Sequence, residues 1–143
     1  MTFYTDGGCI GNPGKGAWAF CAVEDGKAIY TQSNGEKETT NNKMELSAVI
    51  AVLEYSHSLN LSAIEIHTDS QYVKNGITTW IHNWKKNGWK TAAKKSVKNQ
   101  EYWTKLDALT QGINITWSWV KGHSGVEFNE LCDSIVAGEM NKL

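Results

Sequence analysis

Apolar and polar residues change their period several times along the chain, and each change marks an element. Residues 2–6 have β character and run into Gly7-Gly8, where the strand is expected to stop. Gly11-Asn12-Pro13-Gly14 is turn-forming, and the apolar stretch 17–24 after it reads as a second strand. Asp25-Gly26 is a hairpin signal, with a third strand around residues 27–33. The chain then moves to a helical period: Leu46, Val49, Ile50 and Leu53 share one face of a helix expected over 42–58, capped by Asn41 or Asn42. A strand at 62–68 follows, and Ser70 can cap the next helix. A further helix at 100–110 turns Trp103, Leu106 and Leu109 to one side. Ile113, Ile115, Trp117 and Trp119 alternate with polar residues as a strand with one buried face, and Phe128, Leu131, Cys132, Ile135 and Val136 form the stripe of a terminal helix. Three strands in a meander, then helices alternating with two strands, predict an α/β fold with a mixed sheet and helices packed on it.

Composition narrows the class. With 143 residues, 41% hydrophobic and 20% charged, the chain is expected to fold as one domain, residues 1–143. Its longest apolar runs, 17–23 and 48–53, fall far short of the ~20 residues a membrane span requires, and residues 1–8 lack the basic start and long apolar stretch of a leader. The 3 cysteines, Cys9, Cys21 and Cys132, are widely spaced with no Cys-x-x-Cys pair, which disfavours a disulfide framework or zinc site and fits a reducing cytoplasm.

The net charge of -1 suggests no polyanionic partner, but its distribution does. No acid lies between Asp69 and Glu101, whereas Lys74, Lys85, Lys86, Lys90, Lys94, Lys95 and Lys98 all do. Trp80, Trp84, Trp89 and Trp103 interleave with these lysines, and lysines meeting phosphates beside rings meeting sugars or bases are elements of backbone-directed nucleic-acid binding. The alternative is a solvated lysine face over core tryptophans, and Trp80 and Trp84, one turn apart, place the first part of the segment in a helix. All 14 cations are lysine, so the bidentate arginine contact to guanine is not available. A nucleotide-binding P-loop ending Gly14-Lys15 fails, because Cys9 and Gly16 stand where it needs glycine and Ser or Thr.

Four carboxylates carry the candidate chemistry. Asp6 and Asp69 each follow a threonine at an expected strand end, where α/β sheets bind ligands, although aspartates there also serve as ordinary turn residues. Glu45 shares a helical face with Val49 and Val52, so its carboxylate sits among buried apolar groups and needs a partner, either a lysine or a cation. Asp133, on the last helix beside Cys132, reads on its own as a surface acid. Converging, the four would repel one another unless divalent cations neutralised them; all-oxygen ligation selects Mg²⁺ or Mn²⁺, and two such ions suit phosphodiester hydrolysis. His123, flanked by glycines in Lys121-Gly122-His123-Ser124-Gly125, suits proton transfer near neutral pH. His57, His67 and His82 lack such a setting and read as structural.

Taken in order, Tyr4-Thr5-Asp6-Gly7, Gly11-Asn12-Pro13-Gly14, Thr40-Asn41-Asn42-Lys43-Met44-Glu45-Leu46, Thr68-Asp69-Ser70-Gln71-Tyr72-Val73, residues 80–90, Val120-Lys121-Gly122-His123 and residues 129–133 resemble type 1 ribonuclease H of the bacterial kind. The resemblance implies a ribonuclease H-like fold: a five-stranded mixed sheet, three antiparallel strands plus two parallel ones, flanked by helices. It also implies endonucleolytic cleavage of the RNA strand of RNA/DNA hybrids by two metal ions, to 5'-phosphate and 3'-hydroxyl ends. Position by position, Asp6, Glu45, Asp69 and Asp133 match the family's metal-binding catalytic carboxylates, and His123 its loop histidine. Cys9, Asn12, Thr40, Asn41, Asn42 and Gln71 match positions that meet the hybrid. Residues 80–98 match a basic protrusion, with Trp80, Trp84, Lys85, Lys86, Trp89 and Lys90 as its contacts. Mg²⁺ as cofactor with Mn²⁺ as substitute, a hybrid substrate, no membrane partner and a monomeric state complete what the resemblance implies. Gly8, Lys15 and Leu131 depart from residues common in the family, and none of the three removes a catalytic group. The rival readings are another nuclease or integrase with a carboxylate-bearing sheet, and a binding module without catalysis.

Overall fold

A computed structural model describes residues 1–91, 96–119 and 127–143. Lys94, Lys95 and His123 therefore lie outside the described residues. The elements run β1 Thr2–Ile10, β2 Gly14–Glu24, β3 Lys27–Thr39, α1 Asn41–Ser58, β4 Ala63–Thr68, α2 Gln71–Asn75, a π-helical turn Gly76–Trp80, α3 Ile81–Lys86, α4 Gln100–Leu109, β5 Asn114–Trp119 and α5 Glu127–Asn141. The sheet order is β3-β2-β1-β4-β5. β1, β2 and β3 pair antiparallel, while β4 pairs parallel to both β1 and β5. This is the five-stranded mixed sheet that the resemblance implies.

β2 begins at Gly14 and not at residue 17, and β1, β3 and the cap of α1 differ from expectation for physical reasons. β1 does not end at Gly7-Gly8 but pairs with β2 as far as Ile10↔Lys15. Gly7 is in the strand because the backbone of α1 passes directly over it, leaving no room for a side chain; the chain turns only at Gly11, where φ is 70°. β3 continues past residue 33 to Thr39, and its mostly exposed, polar residues fit an edge strand. The cap of α1 is neither Asn41 nor Asn42: Thr40, with extended φ of -129°, accepts through its hydroxyl from the Lys43 N–H at 3.2 Å. The Asp25-Gly26 hairpin forms as expected, with φ of 53° and 75°, the left-handed pair that suits the strand twist.

α1 is the central helix. Leu46, Val49, Val52 and Leu53 are fully buried, and together with Phe3, Phe20, Ile66 and Trp103 they fill the layer between the sheet, α1 and α4. Cys132 and Val136 on α5 cover the other face over Ala17, Ala19, Cys21 and Val23. β5 is the second edge strand, so Ile115, Trp117 and Trp119 are half-buried, and the last two rings stack at 5.5 Å. Among the described residues no helix is long and apolar enough to cross a membrane.

Candidate active site

The parallel β1–β4 ladder determines the site. Its register runs Thr2↔Glu65, Phe3↔Ile66 and Tyr4↔His67, and there it stops. Two residues beyond this last pair come Asp6, within β1, and Asp69, just past the end of β4, so the two carboxylates are brought together where the parallel ladder ends. Asp6 is in the middle of β1, still paired to Ala19 of β2, so it marks the end of the parallel ladder and not, as expected, the end of its strand. α1 enters the resulting gap from above and supplies Glu45 from its first turns. Asp6, Glu45 and Asp69 each offer an oxygen, and these atoms lie within 4.8 Å of one another.

Glu45 is 6% exposed, and among the described residues no lysine pairs with it. Its carboxylate accepts from the Ser70 hydroxyl and from the Gly7 N–H. Ser70 was expected only as a cap, and it is that as well: its oxygen accepts from the Val73 N–H at 3.1 Å while its proton serves Glu45. These two bonds do not compensate for the surroundings. Burial first, then the neighbouring charges of Asp6 and Asp69, raise the Glu45 pKa well above the ordinary value of 4.5. A buried acid facing two others is a place where a cation would be held favourably.

Asp133 stands exposed on α5 and lines the same cleft, of about 470 Å³, as the other three carboxylates. All four acids singled out from the sequence thus face one space. Asn41, Asn42 and Gln71 line it too, joined by Tyr72, which the sequence reading did not single out. Asn12 is tied to this rim, because its Oδ1 accepts from the Asn41 N–H at 2.9 Å. Cys9 is half-buried behind it and donates to the Thr39 carbonyl at 3.4 Å. With Thr40 at the cap, these residues form one continuous ridge beside the carboxylates.

The tryptophan-rich segment divides into core and surface. Trp103 is fully buried, and its Nε1 donates to the Tyr72 hydroxyl at 3.0 Å, where Asn99 Nδ2 also donates at 3.1 Å. Trp80, Trp84 and Trp89 are half-buried, with the Trp84 ring 5.9 Å from Trp80, 6.3 Å from Trp89 and 5.5 Å from Trp103. Lys86, Lys90 and Lys98 are exposed and make no ion pair among the described residues. Lys85 does make one, with Asp107. The remaining histidines are structurally engaged or peripheral: His57 Nε2 meets the Leu109 carbonyl at 2.7 Å, His67 Nε2 meets Glu65 at 2.8 Å, and His82 borders a separate cavity.

The family model described as RNase H matches residues 1–141. A curated protein named Ribonuclease H from Treponema pallidum subsp. pallidum is 50% identical, over 94% of this chain and 87% of its own length. Another of that name from Treponema denticola is 47% identical, over 100% of this chain and 98% of its own. The crystal structure of RNase H1 from the halophilic archaeon Halobacterium salinarum superposes with a TM-score of 0.74 at 25% identity, covering 99% of this chain and 98% of that one.

Proposed function

Since the chain belongs to the ribonuclease H family and is a nuclease, we propose that it hydrolyses the RNA strand of RNA/DNA hybrids endonucleolytically, by a two-metal-ion route that leaves 5'-phosphate and 3'-hydroxyl ends. The observation that carries this reading is the trio Asp6, Glu45 and Asp69 with oxygens within 4.8 Å, completed across the cleft by Asp133. The donor set fits hard divalent cations, because it is all oxygen and because burial first, then the charges of Asp6 and Asp69, raise the Glu45 pKa, a cost that a bound cation would offset. Asp6, Glu45, Asp69 and Asp133 would hold Mg²⁺, or Mn²⁺ in its place. Two such ions supply an activated water and stabilise the leaving oxygen.

The chain's own groups do the rest. Glu45 must release its proton to serve as a ligand, and the Ser70 hydroxyl and Gly7 N–H favour the ionised form. Asn41, Asn42 and Gln71 carry amides that both donate and accept, matching the 2'-hydroxyl that an A-form minor groove displays. Cys9, Asn12 and Thr40 extend that ridge. Trp80, Trp84 and Trp89, with Lys86 and Lys90, receive the DNA strand in a protrusion of the single catalytic domain. His123 moves a proton at the leaving oxygen. We assign the cytoplasm as the compartment and a monomer as the working unit, in keeping with three thiols that are all free.

One gel tests the reading. The protein is incubated with Mg²⁺ and, separately, labelled hybrid, single-stranded RNA, duplex RNA and duplex DNA of one sequence. Cleavage of the hybrid's RNA strand alone, to 3'-hydroxyl ends, is expected; equal cutting of duplex RNA or of DNA would overturn it.

A further inference from the structure

The interval between Asp69 and Glu101 contains no acid, so its lysines look uncompensated in the sequence. The fold supplies an acid from elsewhere. Asp107, near the end of α4, brings both carboxylate oxygens to 3.4 Å from the Lys85 ammonium. The Lys85 side chain keeps 48% of its exposure and that of Asp107 24%, so the carboxylate is the enclosed partner and the lysine the one free to leave.

The geometry of α3 explains the meeting. Ile81 lies one turn before Lys85 on the same flank, and Ile81 and Asp107 line one cavity of about 240 Å³ between α3, α4 and β5. Trp80 and Trp84 occupy a neighbouring flank, where Trp80 packs on Tyr72 at the edge of the catalytic cleft. Lys86 falls on the exposed side. Of the described lysines in the segment, then, Lys85 already has an anion.

A carboxylate at ion-pair distance offers a lysine what a phosphate would offer. We propose that Asp107 is an internal competitor for the nucleic-acid backbone: it holds Lys85 back from the substrate and so keeps hybrid affinity below what the lysines of the protrusion would otherwise give. This rests on the proposed hybrid-cleaving function and names a residue that tunes it. Counterion release states the consequence quantitatively. A lysine that must exchange one anion for another adds little to binding, whereas a free one adds ~0.9 to the logarithmic salt slope.

The test uses the full chain without metal, so that a labelled hybrid is bound but not cut. Dissociation constants are measured across about 50 to 200 mM salt for the wild type, Asp107→Asn, Lys85→Ala and the double variant. Asp107→Asn should bind about fivefold tighter with a salt slope steeper by roughly 0.9, given that exposed pairs contribute up to ~1 kcal/mol. In the presence of Mg²⁺ its Michaelis constant should fall while the saturated rate stays within about twofold. The gain should vanish in the double variant, and Asp107→Glu should restore wild-type affinity. Unchanged or weaker binding by Asp107→Asn would overturn the proposal, since the pair would then brace the protrusion. A gain that persists without Lys85 would also overturn it, as an effect of net charge alone. Failure of the underlying function looks different, because the wild type itself would then not prefer the hybrid over duplex DNA.

Discussion

Gly7 and Glu45 are so closely apposed that a methyl group on Gly7 would stand 2.5 Å from the Glu45 backbone nitrogen and 2.8 Å from its Oε1. Backbone cannot yield as a flexible side chain does, so β1 and α1 can meet here only through glycine. Gly7→Ala should force α1 off the sheet at the point where its acid is presented. A stability loss of about 1 to 3 kcal/mol is expected from overpacking. Activity at saturating Mg²⁺ should fall further than the folded fraction does, which denaturant melts run beside rate measurements will show.

The raised pKa of Glu45 has a sign that can be tested without substrate. In the metal-free protein the folded state holds the proton more tightly than the unfolded chain, so stability declines as pH rises from 4.5, the ordinary value, through the raised value, and returns on acidification. Glu45→Gln removes that dependence. The variant should be more stable than the wild type in chelator above the raised pKa, should no longer be stabilised by Mg²⁺ to the wild-type extent, and should be inactive. Thermal melts over a pH series with and without metal distinguish these; a wild type whose metal-free stability rises through that window would refute the assignment.

Asp69→Asn keeps the size of the side chain and deletes one of the charges that crowd the site. Hybrid binding and the melting profile should survive while cleavage drops by more than tenfold, in line with the several kcal/mol that metal activation contributes. A variant retaining more than about a tenth of the rate at saturating Mg²⁺ would remove Asp69 from the ligand set.

Trp84 is surrounded by Trp80, Trp89 and Trp103. Half-buried at that junction, it should behave first as a packing residue: Trp84→Ala should cost about 2 to 4 kcal/mol, somewhat less than a fully enclosed ring. Trp84→Phe should recover most of the stability. If the phenylalanine variant melts like the wild type yet binds hybrid several-fold more weakly, the indole also stacks on substrate; equal binding would leave it as packing alone.

Much of this was legible in sequence, for reasons that differ by residue. Asp6 and Asp69 could be recognised as a pair because each follows a threonine at the end of a common ladder, and period-two patterning exposes such ends. The burial of Glu45 followed from helical spacing alone. Its partners did not, since Ser70 and Gly7 reach it across elements distant in the chain and no local pattern encodes that contact. The full lengths of β1 and β3 are hidden in the sequence because glycine and polar residues usually end strands; here the close approach of α1 requires the one and an open sheet edge tolerates the other. The lysine-rich segment was visible as charge, but the Asp107 that neutralises Lys85 arrives from another helix.

The four acids come from four different elements, β1, α1, the end of β4 and α5, and the last of these lies at residues 127–141. A ribosome releases these elements in order, so a growing chain exposes three carboxylates long before the helix bearing the fourth has emerged. Until α5 packs over Ala17 and Ala19 the cleft has no far wall. A nuclease would thus pass through a stage in which its cleft is open on one side and holds three of its four acids, and only the packing of α5 would end that stage.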